Sequence, residues 1–356
     1  MSTWPIEHAL LRDLVATPSV SGSEAEAAGL AAVTARGFGL DVVQDDAGVR
    51  AEVRGRGTGP TLAFVTHLDT VPPGEGWTRD PFTPAVEDGR LYGRGSGDAK
   101  ASVSAMLCAA RDVAARGGPA RGRLLVILGL GEETRNTSMP RAVAASGPIE
   151  AAIIGEPTNL DFAVAQRGLM MVDLVARGTQ RHAGYAAEGG FTNSIVELAR
   201  DIARLDSLAR DRPHPVLGHP TITVTMLEAG VSRNVTPPQA RAVVDVRSTP
   251  AWSHLELAGA MRAGLESEVV VTSDRLVPCE TPGHSRLLPL LQELRPAGRA
   301  YGSPTCSDWV FLRESDGVKC GPGTSRRSHT PDECVDLSEV TEARSLYAEL
   351  AMRYLA

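Results

Sequence analysis

Lysine is nearly missing from this chain. Lys100 and Lys319 are the only two among 36 basic residues, so arginine supplies almost all the positive charge. That bias reflects base composition and carries little functional information. A basic excess is also missing. Net charge is −7 with an isoelectric point near 5.7, which gives no support to binding nucleic acid or an anionic membrane surface, since either requires a basic face. No apolar run approaches the roughly 20 residues of a membrane span. The first eight residues, Met1-Ser-Thr-Trp-Pro-Ile-Glu-His, lack the basic-then-apolar pattern of a secretory signal. The five cysteines (Cys108, Cys279, Cys306, Cys320, Cys334) are odd in number and form no CxxC pair. Reduced thiols in a cytoplasmic protein are therefore expected. What is present is an apolar fraction of 42% and a charged fraction of 22%, a globular composition in a chain of 356 residues, long enough for two domains.

The hydrophobic pattern alternates between strand and helix. Thr3 and Pro5 mark a helix start, with Ala9, Leu10, Leu11, Leu14 and Val15 as its apolar face. Ser21-Gly22-Ser23 is expected to cap a second helix ending at Gly37. Strands are expected at 40–44, 49–53, 61–65, 124–128 and 151–154, with helices at 99–115 and 137–145, so the first part reads as an α/β sheet covered on both faces. After Arg167-Gly168 the pattern changes. Strands at 170–175, 221–226, 239–246 and 268–272 with helices at 193–208 and 253–265 make a ferredoxin-like α+β unit. Pro278 to Gly283 reads as the return, and helices at 287–294, 307–312 and 338–355 with a strand at 317–320 complete the first domain. The expected organisation is thus one domain of residues 1–168 and 280–356 with a smaller one, residues 169–279, inserted.

Polar clusters follow the apolar strands. Thr66-His67-Leu68-Asp69-Thr70-Val71-Pro72 ends one of them. Side chains two apart on an extended segment face the same side, so His67 is free to bind a metal while Asp69 accepts from its second ring nitrogen. Gly97-Asp98-Ala99-Lys100 puts Asp98 at a helix start, where alone it reads as an N-cap. Glu132-Glu133 and Glu156 each end a strand, and Ser328-His329-Thr330-Pro331-Asp332-Glu333 follows a glycine-rich loop. Adjacent carboxylates raise one another's pKa, which suits a general base beside a metal ligand. Two histidines, one aspartate and two glutamates are a mixed nitrogen and oxygen set suited to zinc, and a carboxylate shared by two ions would make a two-metal hydrolytic site.

In their order along the chain, these motifs resemble those of the zinc aminoacylase, acetylornithine deacetylase and succinyl-diaminopimelate desuccinylase family of metallopeptidases. The resemblance implies a mixed-sheet di-zinc peptidase domain, with the inserted domain as a lid that forms a homodimer. It implies that His67 and Glu156 bind one zinc and Glu133 and His329 the other, with Asp98 bridging and the Asp98–Ala99 peptide cis. Co2+ or Mn2+ could substitute. Glu132 would be the general base and Asp69 the partner of His67. His182, in Arg181-His182-Ala183-Gly184-Tyr185, matches a lid histidine that reaches a partner subunit's site and polarises the scissile carbonyl, with Tyr185 beside it. Asn234 and Arg247 look like contacts for a substrate carboxylate; Arg167 reads equally as a hinge residue or an anion contact.

The implied reaction is hydrolysis of a small N-acyl amino acid. The Cys306-Ser307-Asp308-Trp309-Val310-Phe311 stretch looks most like acetylornithine deacetylases, which makes N-acetyl-L-ornithine and arginine biosynthesis the expected assignment. Succinyl-diaminopimelate, a carrier-linked lysine or ornithine, and a dipeptide or carboxypeptidase substrate are the alternatives. A cysteine hydrolase built on Cys306 and a non-catalytic binding protein are the readings from other classes.

Overall fold

The structure, a computed structural model, describes residues 4–356. Thr3, half of the expected first helix start, lies outside the described residues. The chain forms two compact units: Met1–Val164, Thr281–Tyr301 and Ser307–Ala356 make the larger, Ala165–Glu280 and Gly302–Cys306 the smaller. The smaller unit therefore takes in Gly302–Cys306, a segment that the hydrophobic pattern assigned to the larger.

In the larger unit four parallel neighbours form the middle of a mixed sheet, in the order Arg121–Gly129, Gly57–His67, Ala151–Ile154 and Asp316–Lys319. Arg121–Gly129 and Ala151–Ile154 are apolar over most of their length, and Gly57–His67 is apolar from Leu62 to Val65, as strands covered on both faces are. Their register aligns the carboxyl ends: His67 lies opposite Gly129, Val65 opposite Ile154, and Ile154 opposite Lys319. Gly48–Arg54 and Asp41–Asp45 add antiparallel strands on one side. Helices Ile6–Val15, Ala25–Gly37, Ala101–Ala115 and Leu337–Tyr354 contribute to a core that includes Leu11, Leu14, Phe64, Met106, Val126 and Tyr347. The first ten residues of Ala101–Ala115 are all buried, so the helix is enclosed on every side, as its Ala and Ser content permits.

Two expected starts move. Ser23 caps nothing; the second helix begins at Ala25, and Ser21 instead donates its hydroxyl to the Asp69 carboxylate at 2.7 Å. Asp98 has extended backbone angles ahead of the helix that starts at Ala101, and is not its cap. A small sheet of Ala85–Glu87, Arg90–Tyr92 and Cys334–Asp336 was not expected, because each strand has three residues. Its signal is Asp88-Gly89, whose φ angles of 48° and 77° suit a tight two-residue hairpin.

The smaller unit is a four-stranded antiparallel sheet ordered Thr221–Ala229, Gln239–Arg247, Leu169–Arg177, Glu268–Leu276, with helices Ser194–Arg204 and His254–Gly264. Chain order is βαββαβ, the split βαβ arrangement of ferredoxin-like domains. Met170, Val172, Leu174, Ala242, Val244, Leu257 and Met261 fill its core. Cys279 and Glu280 pair with Gln166 and Ala165, so the chain enters and leaves this unit on adjacent strands.

His254 gives this unit a pH-dependent part of its stability. The ring is buried, with Nδ1 against the Asp274 carbonyl at 2.8 Å and Nε2 against Ser248 Oγ at 2.7 Å, a full set of partners for the neutral imidazole. Burial lowers its pKa from the ordinary histidine range, and the pull of Asp274 does not offset this. Because the folded pKa lies below the unfolded one, the unfolded chain binds more protons in between. The stabilisation is complete above about pH 6.5 and is lost as pH falls through the folded value. Denaturant unfolding of the wild type and His254→Gln at pH 8 and pH 5 is expected to show the stability difference between them shrinking at the lower pH.

Candidate functional site

The four aligned carboxyl ends deliver the polar clusters to one edge of the larger unit's sheet, where open α/β sheets place their chemistry. His67 closes its strand and is buried. Glu132 and Glu133 follow Arg121–Gly129 through a turn at Gly131 (φ 67°), and Glu156 follows Ala151–Ile154. After Asp316–Lys319 the chain passes Gly321, where a Cβ would come within 2.6 Å of the Glu156 carbonyl oxygen, so only glycine lets the two loops meet. It then reaches His329, a non-glycine residue at φ 63°, a conformation that neighbouring contacts must hold.

Asp98 occupies the middle. Its Oδ1 lies 3.3 Å from His67 Nε2 and its Oδ2 3.7 Å from His329 Nε2. Glu156 Oε1 is 3.9 Å from His67 Nε2, and Glu133 Oε1 is 2.8 Å from His329 Nε2. Donor atoms of His67, Asp98 and Glu156 lie within 4.8 Å of one another, as do those of Asp98, Glu133 and His329, and of His67, Glu132 and Glu133. The five expected ligands thus converge, with the Asp98 carboxylate common to two groups. The Asp98–Ala99 peptide is cis.

Asp69 does more than the two-residue spacing implied. Its Oδ1 is 3.3 Å from His67 Nδ1, but that nitrogen is nearer the Asp69 carbonyl oxygen, at 3.1 Å. The carboxylate also accepts the backbone N–H of Glu132 on one oxygen and of Glu133 on the other, at 3.0 and 3.1 Å. Asp69 therefore ties the histidine to the glutamate turn. Burial would raise its pKa, but bonds to His67 and the surrounding donors hold it down at about 2.

Electrostatically the site is short of positive charge. Burial, reinforced by Asp98, pushes Glu156 up to about 8. Burial likewise sends Glu132 well above the carboxylate range, with Glu156, Asp308 and Glu133 adding to it and His67 opposing. His67 moves upward: burial favours its neutral form, but Asp69 and Asp98 outweigh that. Glu156 Oε1 is buried with no hydrogen-bond partner, a lone pair aimed into the cluster. Crowded carboxylates, two imidazole nitrogens and an orphaned oxygen fit bound metal ions, and the mixed nitrogen and oxygen set is the kind zinc takes.

Three buried groups beside the cluster escaped the sequence reading. Asp308 accepts from Asn136 Nδ2 at 2.8 Å, and burial pushes it up to about 6. Glu333 and Arg94 form an ion pair of 2.6 Å with each side chain 1% exposed. Both lysines are also buried, and Lys100 donates to the carbonyls of Leu14 and Thr17.

The other expected residues lie in the smaller unit. His182 is exposed on the short strand Arg181–His182, its Nδ1 accepting the Gly184 N–H at 3.0 Å. The proton of the neutral ring therefore sits on Nε2, which makes that atom a donor. Tyr185 is edge-on to the His182 ring at 5.8 Å, and the Asn234 carbonyl accepts from Ala183 N–H. Arg247 is held by both oxygens of Asp245, at 2.8 and 3.0 Å. Arg167 donates to the carbonyls of His219, Leu217 and Arg247, which favours its hinge reading over an anion contact.

A carboxylate shared between two histidine-bearing clusters at the edge of a parallel sheet is the equipment of a metal-dependent hydrolase. Residues 63–353 match the family described as "Peptidase family M20/M25/M40", and the chain belongs to that family. A succinyl-diaminopimelate desuccinylase of Cereibacter sphaeroides is 30% identical over 378 aligned residues, covering 98% of each chain. One from Gluconacetobacter diazotrophicus is 28% identical, covering 97% of this chain and 96% of its own. Among solved structures, a tripeptidase from Staphylococcus aureus superposes with a TM-score of 0.81 at 18% identity, covering 98% of each chain. An M20 metallo-carboxypeptidase from Sulfolobus solfataricus gives 0.78 at 18%, covering 99% of this chain and all of that one. The mixed α/β fold is that of these peptidases, and the protein is a metal-dependent hydrolase acting on amide bonds. Among the described residues no helix is long and apolar enough to cross a membrane.

Proposed function

We propose that the chain removes the acyl group from an N-acyl amino acid, using two zinc ions that share Asp98. The placement of the two Asp98 oxygens toward His67 and His329 carries this reading. His67 and Glu156 would complete one site, Glu133 and His329 the other. The ions, when bound, act as Lewis acids that polarise the amide carbonyl and lower the pKa of water toward neutrality. Glu132 takes the proton of the attacking water and returns it to the leaving amine. Asp69, through the two amide N–H groups it accepts, keeps Glu132 in place for both transfers. His182, as its resemblance to a lid histidine implies, would donate its Nε2–H to the developing oxyanion in a partner subunit's site. The Asp245 clamp orients Arg247 in the plane for a two-point contact with a substrate carboxylate, Asn234 adds a side-chain amide, and Tyr185 steadies His182. We extend the reading to a cytoplasmic homodimer through the smaller unit. Met226 and Leu227 on its edge strand Thr221–Ala229, with Val231 beyond it, are all more than half exposed.

For the acyl group, the relatives favour succinyl over the acetyl group expected from the stretch at Cys306. The curated relatives named above are desuccinylases aligned over nearly their full length, which supports N-succinyl-diaminopimelate and lysine biosynthesis. N-acetylornithine stays as the second reading because Cys306 stands where desuccinylase-like chains usually carry threonine. Zinc-loaded enzyme is expected to hydrolyse N-succinyl-diaminopimelate at least tenfold faster, by kcat/KM, than N-acetylornithine, with both rates abolished by chelator. The reverse preference would restore the acetylornithine reading, and chelator-resistant turnover would refute the metal mechanism.

A further inference from the structure

We infer that Glu333 and Arg94, a pair with both side chains buried, are positioning residues that set the bridging carboxylate of Asp98. The inference rests on the reading of Asp98 as the shared ligand. Asp98 lies on an irregular segment ahead of the helix Ala101–Ala115, with no regular backbone ladder to hold it. What holds it is Glu333, whose Oε1 accepts the N–H of both Gly97 and Asp98, each at 3.0 Å. Its Oε2 accepts from Arg94 Nη1 at 2.6 Å. Arg94 in turn donates to the Pro73 carbonyl at 2.9 Å, and its guanidinium lies 5.1 Å from the centre of the Trp77 ring.

The network joins three loops that flank the small sheet, in which Tyr92 pairs with Cys334, and it reaches beyond that ladder to Asp98. Pro73 and Trp77 lie downstream of His67, Arg94 leads into Asp98, and Glu333 follows His329 by four residues. Asp332 adds a second tie between the outer two, accepting the N–H and the hydroxyl of Thr78. Gly95, at φ 79°, gives the Asp98 loop its turn, and a Cβ there would strike Thr70 at 2.5 Å. A buried carboxylate facing two amides and a guanidinium has its acceptor geometry filled. Rotating the Asp98 peptide would strand those donors away from water. The orientation of the bridging carboxylate is therefore set from behind by Glu333.

A merely structural ion pair and a positioning device behave differently once both charges are removed. Replacing a buried pair with apolar side chains commonly restores stability. The amides of Gly97 and Asp98 would still lack their acceptor. Four variants decide the matter: Asp98→Asn, Glu333→Gln, Arg94→Met, and the double variant Arg94→Met/Glu333→Met. Each is measured for zinc affinity by chelator competition, for kcat and KM on the best substrate, and for melting temperature. Glu333→Gln is expected to weaken zinc binding or lower kcat by about 10–100-fold with KM nearly unchanged. In the double variant the melting temperature, compared between the metal-free proteins, is expected to recover toward wild type while zinc affinity stays low. Wild-type zinc affinity and kcat in Glu333→Gln, with Asp98→Asn defective, would overturn the inference alone. Recovery of both stability and zinc affinity in the double variant would reduce the pair to a structural one. Full zinc occupancy in Asp98→Asn would remove the bridging reading and this inference with it.

Discussion

Glu132→Gln is expected to keep its zinc and lose its turnover. The substitution preserves the shape of the side chain, and the backbone N–H that Asp69 accepts is unchanged, so the turn carrying Glu133 stays in place. What is lost is the ability to take and return a proton, worth about 10²–10⁴-fold in rate. The loss should fall on kcat, since Glu132 contributes no binding contact in this scheme. Zinc content by atomic emission together with steady-state kinetics decides it. A variant with bound zinc and full kcat would mean that the base lies elsewhere. Burial and the neighbouring carboxylates of Glu156, Asp308 and Glu133 push Glu132 above the ordinary carboxylate range, the direction that suits a group that both takes and returns a proton.

The second large effect is that of the metal on stability. Asp98, Glu133 and Glu156 converge with Glu132 at one edge of the sheet, and their mutual repulsion must be offset for the site to hold its shape. Zinc bound at a hundred times its dissociation constant stabilises by about 2.7 kcal/mol per site, which for a unit of this size corresponds to a melting shift of roughly 5–11 °C. Chelated protein is therefore expected to melt lower and to be inactive, with both properties returning when zinc is added back. The response should be absent in His67→Ala for the site it shares with Glu156. An unchanged melting curve after chelation and zinc addition would argue against a site formed by these carboxylates.

The parts of this site that could be read from the chain are those carried by local pattern. His67, Glu133 and Glu156 were visible because each follows a run of apolar residues that can only be an interior strand, and parallel strands present their carboxyl ends together. The smaller unit was visible because its strands and helices are long and strongly periodic. What stayed hidden is long-range. Asp308 meets Asn136 across 172 positions and Glu333 meets Arg94 across 239, separations at which no spacing rule operates. Glu333 sat inside the recognised His329 stretch, yet only its hydrogen bonds show that it faces two backbone amides. Asp69 was assigned to His67 by the two-residue period of a strand, which says nothing about a turn arriving from a neighbouring strand. Arg167 and Arg247 follow the same lesson: sequence marks them as cations, and only the structure shows which acceptors already hold them. Gly302–Cys306 joins the smaller unit through tertiary pairing, with no change of composition to announce it.

The most direct test is anomalous diffraction from zinc-soaked crystals, recorded on both sides of the zinc absorption edge. Two peaks are expected. One should lie among His67, Glu156 and Asp98 and the other among Glu133, His329 and Asp98, with one Asp98 oxygen facing each. A single peak that does not touch Asp98, or no peak within reach of these five side chains, would contradict the shared-carboxylate site.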